Sequence, residues 1–278
     1  MQKIRVADYV ASFIKKIGVD CVFMVPGGGA MFLNDAIQCK KGLDYVANHN
    51  EQASSISAEA YSRVTENIGV AVVTTGPGST NAITGVAGAW IESVPLMIIS
   101  GQVKTSDLKG NSGVRQMGPQ EVDIVSIVKP ITKYATTVKD PKKIRSELEK
   151  AYHLATTGRK GPVWIDIPLD IQAAPIAAET LIEFKALSNK KKSFNKYNEI
   201  LNLINSSNRP IILAGHGIRL SKASKDFTKM CKILKIPVVT TWNAMDLLPN
   251  SSKLNIGKPG TVALRAPNFA IQNSDLLI

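Results

Sequence analysis

The sequence has 278 residues, with 34 Lys and Arg against 22 Asp and Glu, and its formal net charge is +12. Hydrophobic residues make up 44%, so one large domain or two ordinary ones can form a core without disulfides or metals. The lysines are scattered, and the densest run, 190–192, has no interleaved aromatic residues, which predicts a solvated surface and no nucleic-acid partner.

The cysteines and the hydrophobic segments indicate the compartment. Cys21, Cys39 and Cys231 are odd in number and lack metal-ligand spacing, so no disulfide framework is predicted and a reducing cytoplasm fits. The N-terminus is charged and amphipathic, unlike a signal peptide. No apolar run approaches the roughly 20 residues that span a bilayer. We therefore expect a cytoplasmic protein without membrane contact.

Hydrophobic patterns predict alternating helices and strands in the first 170 residues. Predicted strands cover residues 21–25, 44–47, 70–75, 95–100 and 163–167. Predicted helices cover residues 4–14, 31–38, 52–64 and 141–156, and Ser79 or Thr80 is expected to cap another. This alternation predicts an α/β domain, in which a parallel sheet carries helices on both faces as three α/β/α layers.

A second α/β unit, Rossmann-like in pattern, follows a polar segment. Residues 1–173 form the predicted first domain, residues 174–195 a linker, and residues 196–278 an incomplete second domain. Its predicted strands are 211–214 and 238–241, and its predicted helices are 221–234 and 261–272. The sequence stops in the apolar run 275–278, which looks like a buried strand. We therefore expect a fragment or the product of a truncated reading frame.

Two glycine-rich turns follow predicted strands, Pro26-Gly27-Gly28-Gly29 and Gly76-Pro77-Gly78. Such turns let a ligand approach the backbone, although ordinary turns explain them equally well. Neither is a P-loop, and Gly215-His216-Gly217 lacks the third glycine of a dinucleotide fingerprint. Each turn alone is therefore a weak indication of a site.

Glu51 ends the second strand region and opens a helix. A carboxylate in the first turn is favoured by the helix dipole, which is one explanation. The carboxyl end of a parallel strand is also where α/β proteins place ligand chemistry. The residue pattern leaves both explanations open.

Taken in order, several segments together resemble the acetolactate synthase family of thiamine-diphosphate enzymes over nearly the whole chain. They are Val25-Pro26-Gly27-Gly28, His49-Asn50-Glu51-Gln52-Ala53, Ala60-Tyr61-Ser62-Arg63, Thr75-Gly76-Pro77-Gly78-Ser79-Thr80-Asn81, Val94-Pro95-Leu96, Ser100-Gly101-Gln102-Val103, Gln120-Glu121-Val122-Asp123 and Gly161-Pro162-Val163-Trp164-Ile165-Asp166-Ile167-Pro168.

The resemblance implies a pyrimidine-binding domain, part of a middle domain that binds FAD in some members, and no C-terminal domain. In the family that last domain holds the cofactor diphosphate through a divalent metal, so Mg²⁺ ligands are expected outside this chain and no metal ligand within it. Glu51 matches the glutamate that bonds a pyrimidine nitrogen and thereby promotes loss of the thiazolium C2 proton. The residues matching cofactor-binding positions are Pro26, Gly27, Gly28, Glu51, Gly76, Pro77, Gly78 and Asn81.

Gln120 matches a catalytic glutamine that faces the active site from the partner subunit, which implies a homodimer or higher oligomer through the pyrimidine-binding domain. The implied activity is decarboxylation of a 2-keto acid, pyruvate, followed by carboligation. Gly118-Pro119 replaces the family's Ala-Phe, which favours an alternative thiamine-diphosphate lyase or decarboxylase that transfers an acyl unit to a modified sugar. A non-catalytic truncated remnant is the third hypothesis. Asn50, inserted between His49 and Glu51, is a second departure from the family pattern.

Overall fold

The computed structural model describes residues 3–186 and 194–278, and the chain divides into two compact units, Met1–Leu187 and Ser188–Ile278. The lysine run 190–192 and part of the predicted linker lie outside the described residues.

The first unit alternates strands and helices along the chain. Its strands are β1 (Ile4–Arg5), β2 (Cys21–Met24), β3 (Asp44–Ala47), β4 (Gly69–Val73), β5 (Leu96–Gln102), β6 (Tyr134–Thr137), β7 (Val163–Pro168) and β8 (Pro175–Ile176). Its α-helices are α1 (Val6–Lys16), α2 (Met31–Cys39), α3 (Glu51–Thr65), α4 (Pro77–Asn81), α5 (Ile83–Glu92), α6 (Ile124–Val128), α7 (Ile144–Thr156) and α8 (Leu169–Ala173).

The main sheet of this unit is parallel, in the order β3-β2-β4-β5-β7-β6. Successive residues of a strand point to opposite faces, and both faces of the central strands are apolar. Val70 and Val72 of β4 join a core with α1, α2 and α7, whereas Ala71 and Val73 join a second core with α3, α5 and α6. The predicted three-layer α/β/α fold is confirmed.

Residues 174–186, where the sequence predicts that the linker begins, pack on the first unit. Strand β8 pairs with β1 in antiparallel register, and Leu181 is buried. The backbone N–H of Phe184 donates to Glu149 Oε2 at 2.9 Å. The compact part of the first unit thus extends beyond residue 173.

The second unit is also α/β. Its elements are α9 (Tyr197–Ser206), β9 (Pro210–Ala214), α10 (Gly217–Leu220), α11 (Ser224–Leu234), β10 (Val238–Thr240), β11 (Asn255–Gly257), α12 (Arg265–Gln272) and β12 (Leu276–Leu277). The parallel order is β11-β10-β9-β12. The helix predicted over 221–234 begins only at Ser224, because Lys222 adopts a left-handed φ of 60°.

The apolar run at 275–278 forms the predicted strand, but the strand is not buried. Strand β12 lies at an edge of its sheet, so Leu277 is 50% exposed. Among the described helices, we find none with the length and apolar character needed to cross a bilayer.

Candidate active site

The strand order of the first sheet places a topological switch point between β2 and β4, which lie side by side. The space at the carboxyl ends of these two strands is called the crevice here. The helix after β2 packs on one face, with Leu33 and Ile37 in the first core. The helices after β4 lead to the other face, where Val86 and Ala89 join the second core. Such a switch point, at the carboxyl ends of parallel strands, is where open α/β sheets bind ligands.

The two glycine-rich turns meet at this crevice. Gly29 N–H donates to Thr74 Oγ1 at 3.0 Å. A Cβ on Gly27 would lie 2.5 Å from Thr74 Cβ, so only glycine allows this approach. Gly28 has no neighbouring atom within 4 Å of such a Cβ, and its backbone faces open space beside the exposed Pro26.

The turn after β4 is built by Gly76, whose φ of +60° and ψ of −119° suit glycine. Helix α4 begins at the exposed Pro77, since proline's fixed φ suits a first helical position. The predicted cap by Ser79 or Thr80 is therefore wrong. Ser79 Oγ instead donates to the carbonyl of Thr74 at 2.6 Å, and Thr80 Oγ1 donates to that of Pro77 at 3.1 Å.

Glu51 is the first residue of α3, and Asn50 is its N-cap. The Asn50 side chain accepts from Gln52 N–H at 2.8 Å, so the residue inserted before Glu51 has a local structural role. Oε2 of Glu51 accepts a hydrogen bond from Asn81 Nδ2 at 2.8 Å. A Cβ on Gly78 would lie 3.1 Å from Glu51 Oε1, which places the carboxylate over the start of α4.

Oε1 of Glu51 accepts no hydrogen bond from any residue that the structure describes, and the side chain is half-buried. One oxygen is therefore oriented by Asn81, while the other can accept from a bound group. The helix-dipole explanation for a carboxylate at this position applies as well, and it is compatible with binding.

Gln120 reaches the same turn through its backbone. It lies in the loop of residues 103–123, here called the Gln120 loop, which joins β5 to α6. A Cβ on Gly76 would lie 2.0 Å from the Gln120 carbonyl oxygen. The structure thus places Glu51, Asn81 and Gly78 together, and it packs Gln120 against Gly76.

A buried polar network below the Gln120 loop was not predicted as part of the site. Ser100 Oγ and Thr137 Oγ1 donate to the Asp166 carboxylate at 2.6 and 3.0 Å. Gln102 Nε2 donates to Asp166 Oδ2 at 3.2 Å, and Thr75 Oγ1 donates to Gln102 Oε1 at 2.8 Å. The single charged residue of an otherwise apolar strand, Asp166, was the signal that could have revealed it.

Burial raises the pKa of Asp166 to about 7, against the opposing effect of the hydrogen bonds from Ser100, Gln102 and Thr137. Together with Glu121 and Lys139, Asp166 lines a polar cavity of about 140 Å³. The carboxyl group therefore changes charge near neutral pH, where an ordinary aspartate is fully ionised.

We expect Asp166→Asn to change how stability depends on pH. Between pH 4 and 7 Asp166 of the folded wild type retains a proton that it loses in the unfolded chain, so the contribution of this group to the free energy of unfolding falls as pH rises. The wild-type value minus the Asp166→Asn value should therefore fall by about 2–4 kcal/mol across this range. Urea unfolding, followed by tryptophan fluorescence at several pH values, measures this difference.

Asp170→Asn provides the control for this titration. Burial opposes ionisation of Asp170, but hydrogen bonds from Thr105 hold its pKa below the ordinary 3.8. Its contribution to stability is lost only as pH falls below about 4, so the corresponding difference should be flat from pH 4 to 7. If the wild-type value minus the Asp166→Asn value were equally flat from pH 4 to 7, Asp166 would not be protonated in the folded protein over this range, which would contradict the raised pKa.

No group of three or more His, Cys, Asp or Glu residues with metal-site geometry occurs within residues 3–186 and 194–278. What the first unit offers is a half-buried carboxylate and bare backbone at the switch point of a parallel sheet. These features define an α/β protein with a candidate small-molecule site at the carboxyl edge of its sheet.

Both units of the chain match known protein families. The family described as "Thiamine pyrophosphate enzyme, N-terminal TPP binding domain" matches residues 4–127, and its central domain matches residues 197–278. Thiamine pyrophosphate is another name for thiamine diphosphate. The chain belongs to the thiamine-diphosphate enzyme family, and it is similar to acetolactate synthase large subunits.

Three relatives illustrate the similarity. The acetolactate synthase large subunit of Lactococcus lactis is 35% identical over 98% of this chain and 47% of its own length. The probable large subunit of Methanocaldococcus jannaschii is 34% identical over 98% of the chain and 46% of its own length. That of Haemophilus influenzae is 32% identical over the full chain and 48% of its own length. The chain therefore spans about half the length of these relatives.

Proposed function

We propose that this chain is the cofactor-activating half of a thiamine-diphosphate enzyme that decarboxylates pyruvate and joins the remaining two-carbon unit to a second 2-keto acid. The observation that carries the proposal is the Glu51 carboxylate at the switch point of the sheet, with one oxygen held by Asn81 and the other open. The names of the relatives supply the reaction class.

The residues at the crevice fit the aminopyrimidine of thiamine diphosphate. Gly28 leaves backbone uncovered where a flat ring can approach, and the buried Gly78 lets the Glu51 carboxylate lie close to the start of α4. Oε1 of Glu51 would accept a hydrogen bond from a protonated ring nitrogen, which favours proton transfer at the cofactor. When bound, the cofactor supplies a nucleophilic thiazolium carbon and an electron sink for decarboxylation. Gln120 would lie beside the substrate.

The remaining parts of the site are proposed to lie outside this chain. A diphosphate-binding domain would hold Mg²⁺, and the pyrimidine-binding unit would face that domain of a second chain in a homodimer or higher oligomer. Exposed apolar side chains on α3, Ile56 (44%) and Val64 (84%), support a protein-protein surface there. FAD in the second unit and a cytoplasmic location stay predictions.

The Gln120 loop supports an alternative acceptor substrate in place of the second 2-keto acid. A Cβ on Gly118 would lie 2.7 Å from Val103 Cγ1, so this loop packs close to β5 through a glycine. Pro119 is exposed and presents no aromatic ring where the family has Phe. Without that ring the crevice can admit a bulkier acceptor, which favours transfer of the two-carbon unit to a modified sugar.

A product assay separates these functions. The complete enzyme, with its diphosphate-binding part, thiamine diphosphate and Mg²⁺ present, is incubated with pyruvate alone, beside the Lactococcus lactis relative as a positive control. Acetolactate formation supports the leading proposal. Release of carbon dioxide without acetolactate supports a different acceptor. No carbon dioxide at all would contradict both and favour a non-catalytic remnant.

A further inference from the structure

The backbone at Gln120 adopts a conformation that needs support from its surroundings. Its φ of 61° lies in the left-handed region, which residues other than glycine rarely adopt. Such strained residues persist only where neighbouring contacts over-determine them, and they cluster at functional sites. The contacts that hold Gln120 are therefore informative.

Glu121 supplies the first of these contacts. Its side chain is buried, with 7% of the residue exposed. Oε1 accepts from Lys109 N–H at 2.6 Å, and Oε2 accepts from the N–H groups of Met117 and Gly118 at 2.8 and 3.4 Å. One carboxylate thus ties the early part of the Gln120 loop to its late part through charge-assisted hydrogen bonds, which are stronger than neutral ones.

The opposite side of Gln120 is tied to the sheet. Gln102 Nε2 donates to the carbonyl of Val122 at 3.0 Å, and Oε1 of the same side chain accepts from Thr75 Oγ1. The residues on both sides of Gln120 are therefore anchored, while its own carbonyl presses on Gly76. Gln120 itself is exposed.

We propose that Glu121 is a positioning residue, which closes the Gln120 loop upon itself and so fixes Gln120 against the Gly76 turn. The role assigned to Gln120 rests on the proposed function, whereas the closure of the loop does not. A residue that only stabilised the fold would affect the whole unit alike. A positioning residue affects the order of the Gln120 loop and the contribution of Gln120 to catalysis.

The first test uses this chain with Glu121→Gln and measures amide hydrogen exchange by NMR. The neutral amide offers one acceptor oxygen in place of two, so the amides of Lys109, Met117 and Gly118 should exchange at least about tenfold faster. Amides of β4 and β5 should keep their rates. Asp107→Asn is the control, because that carboxylate in the same loop accepts from the neighbouring Ser106 hydroxyl. Unchanged loop exchange in Glu121→Gln would overturn the proposal.

The second test compares Glu121→Gln, Gln120→Ala and the double variant in the complete enzyme. If Glu121 acts through Gln120, both single variants lower kcat/KM and the double variant is no worse than Gln120→Ala. Exchange of the cofactor C2 proton should stay near the wild-type rate in all three. Additive losses would contradict positioning. A wild-type enzyme inert toward 2-keto acids would refute the proposed function, and loop exchange would still decide whether Glu121 closes the loop.

Discussion

Glu51→Gln is expected to lower turnover of pyruvate by the complete enzyme about 10²–10⁴-fold, the usual range for loss of an acid-base group. The amide keeps the size of the side chain and can still accept the hydrogen bond from Asn81 Nδ2. It lacks the basic oxygen that would hold a proton on the cofactor ring. Carbon dioxide release under saturating pyruvate measures the effect.

Glu59→Gln is the matched control for this variant. Glu59 lies on the same helix, and its carboxylate is paired with Arg63 rather than facing the crevice. Loss of a partly exposed ion pair should lower the free energy of unfolding by only roughly 0.2–1 kcal/mol. The Glu59→Gln enzyme should therefore stay folded, with turnover within about twofold of the wild type. If Glu51→Gln behaved like Glu59→Gln, the role assigned to Glu51 would be wrong.

Gly76→Ala should destabilise the first unit by at least about 3 kcal/mol. The new Cβ would lie 2.0 Å from the Gln120 carbonyl oxygen, and alanine strongly disfavours the φ of +60° and ψ of −119° found there. Either the turn or the Gln120 loop must move. Urea unfolding of this chain measures the loss directly.

Gly88→Ala separates this effect from a general response to losing a glycine. Gly88 lies in α5, and a Cβ there meets no atom within 4 Å. Replacing a helical glycine at an open position should raise stability by about 0.5–1 kcal/mol. Equal stability of the Gly76→Ala and Gly88→Ala variants would show that the Gly76 turn does not carry the strain described.

The elements that the sequence predicts well are those with strong apolar patterns. Strands β4, β5 and β7 and helices α1, α3 and α7 lie within a few residues of their predicted bounds, because burial on one or both faces determines their composition. Strand β6 was missed since it is short, rich in threonine and at the sheet edge. Strand β11 was missed because it has only three residues.

The candidate site divides in a similar way. Glu51 and the glycine turns can be predicted from the sequence, because each lies in a short motif and the motifs follow the same order as in the family. The packing of Gly76 against Gln120, and the network from Thr75 through Gln102 to Asp166, join residues that are distant in the chain. No local periodicity encodes such pairs, because they arise only when parallel strands bring their carboxyl ends together.

Exchange of the cofactor C2 hydrogen with deuterium tests the central claim most directly, because it reports on cofactor activation before any substrate is chosen. The complete enzyme with thiamine diphosphate and Mg²⁺ is mixed with deuterium oxide, quenched in acid and analysed by proton NMR. We expect the wild type to accelerate exchange and Glu51→Gln to slow it by about 10²–10⁴-fold, while Glu59→Gln matches the wild type. Near-normal exchange in Glu51→Gln would contradict the account.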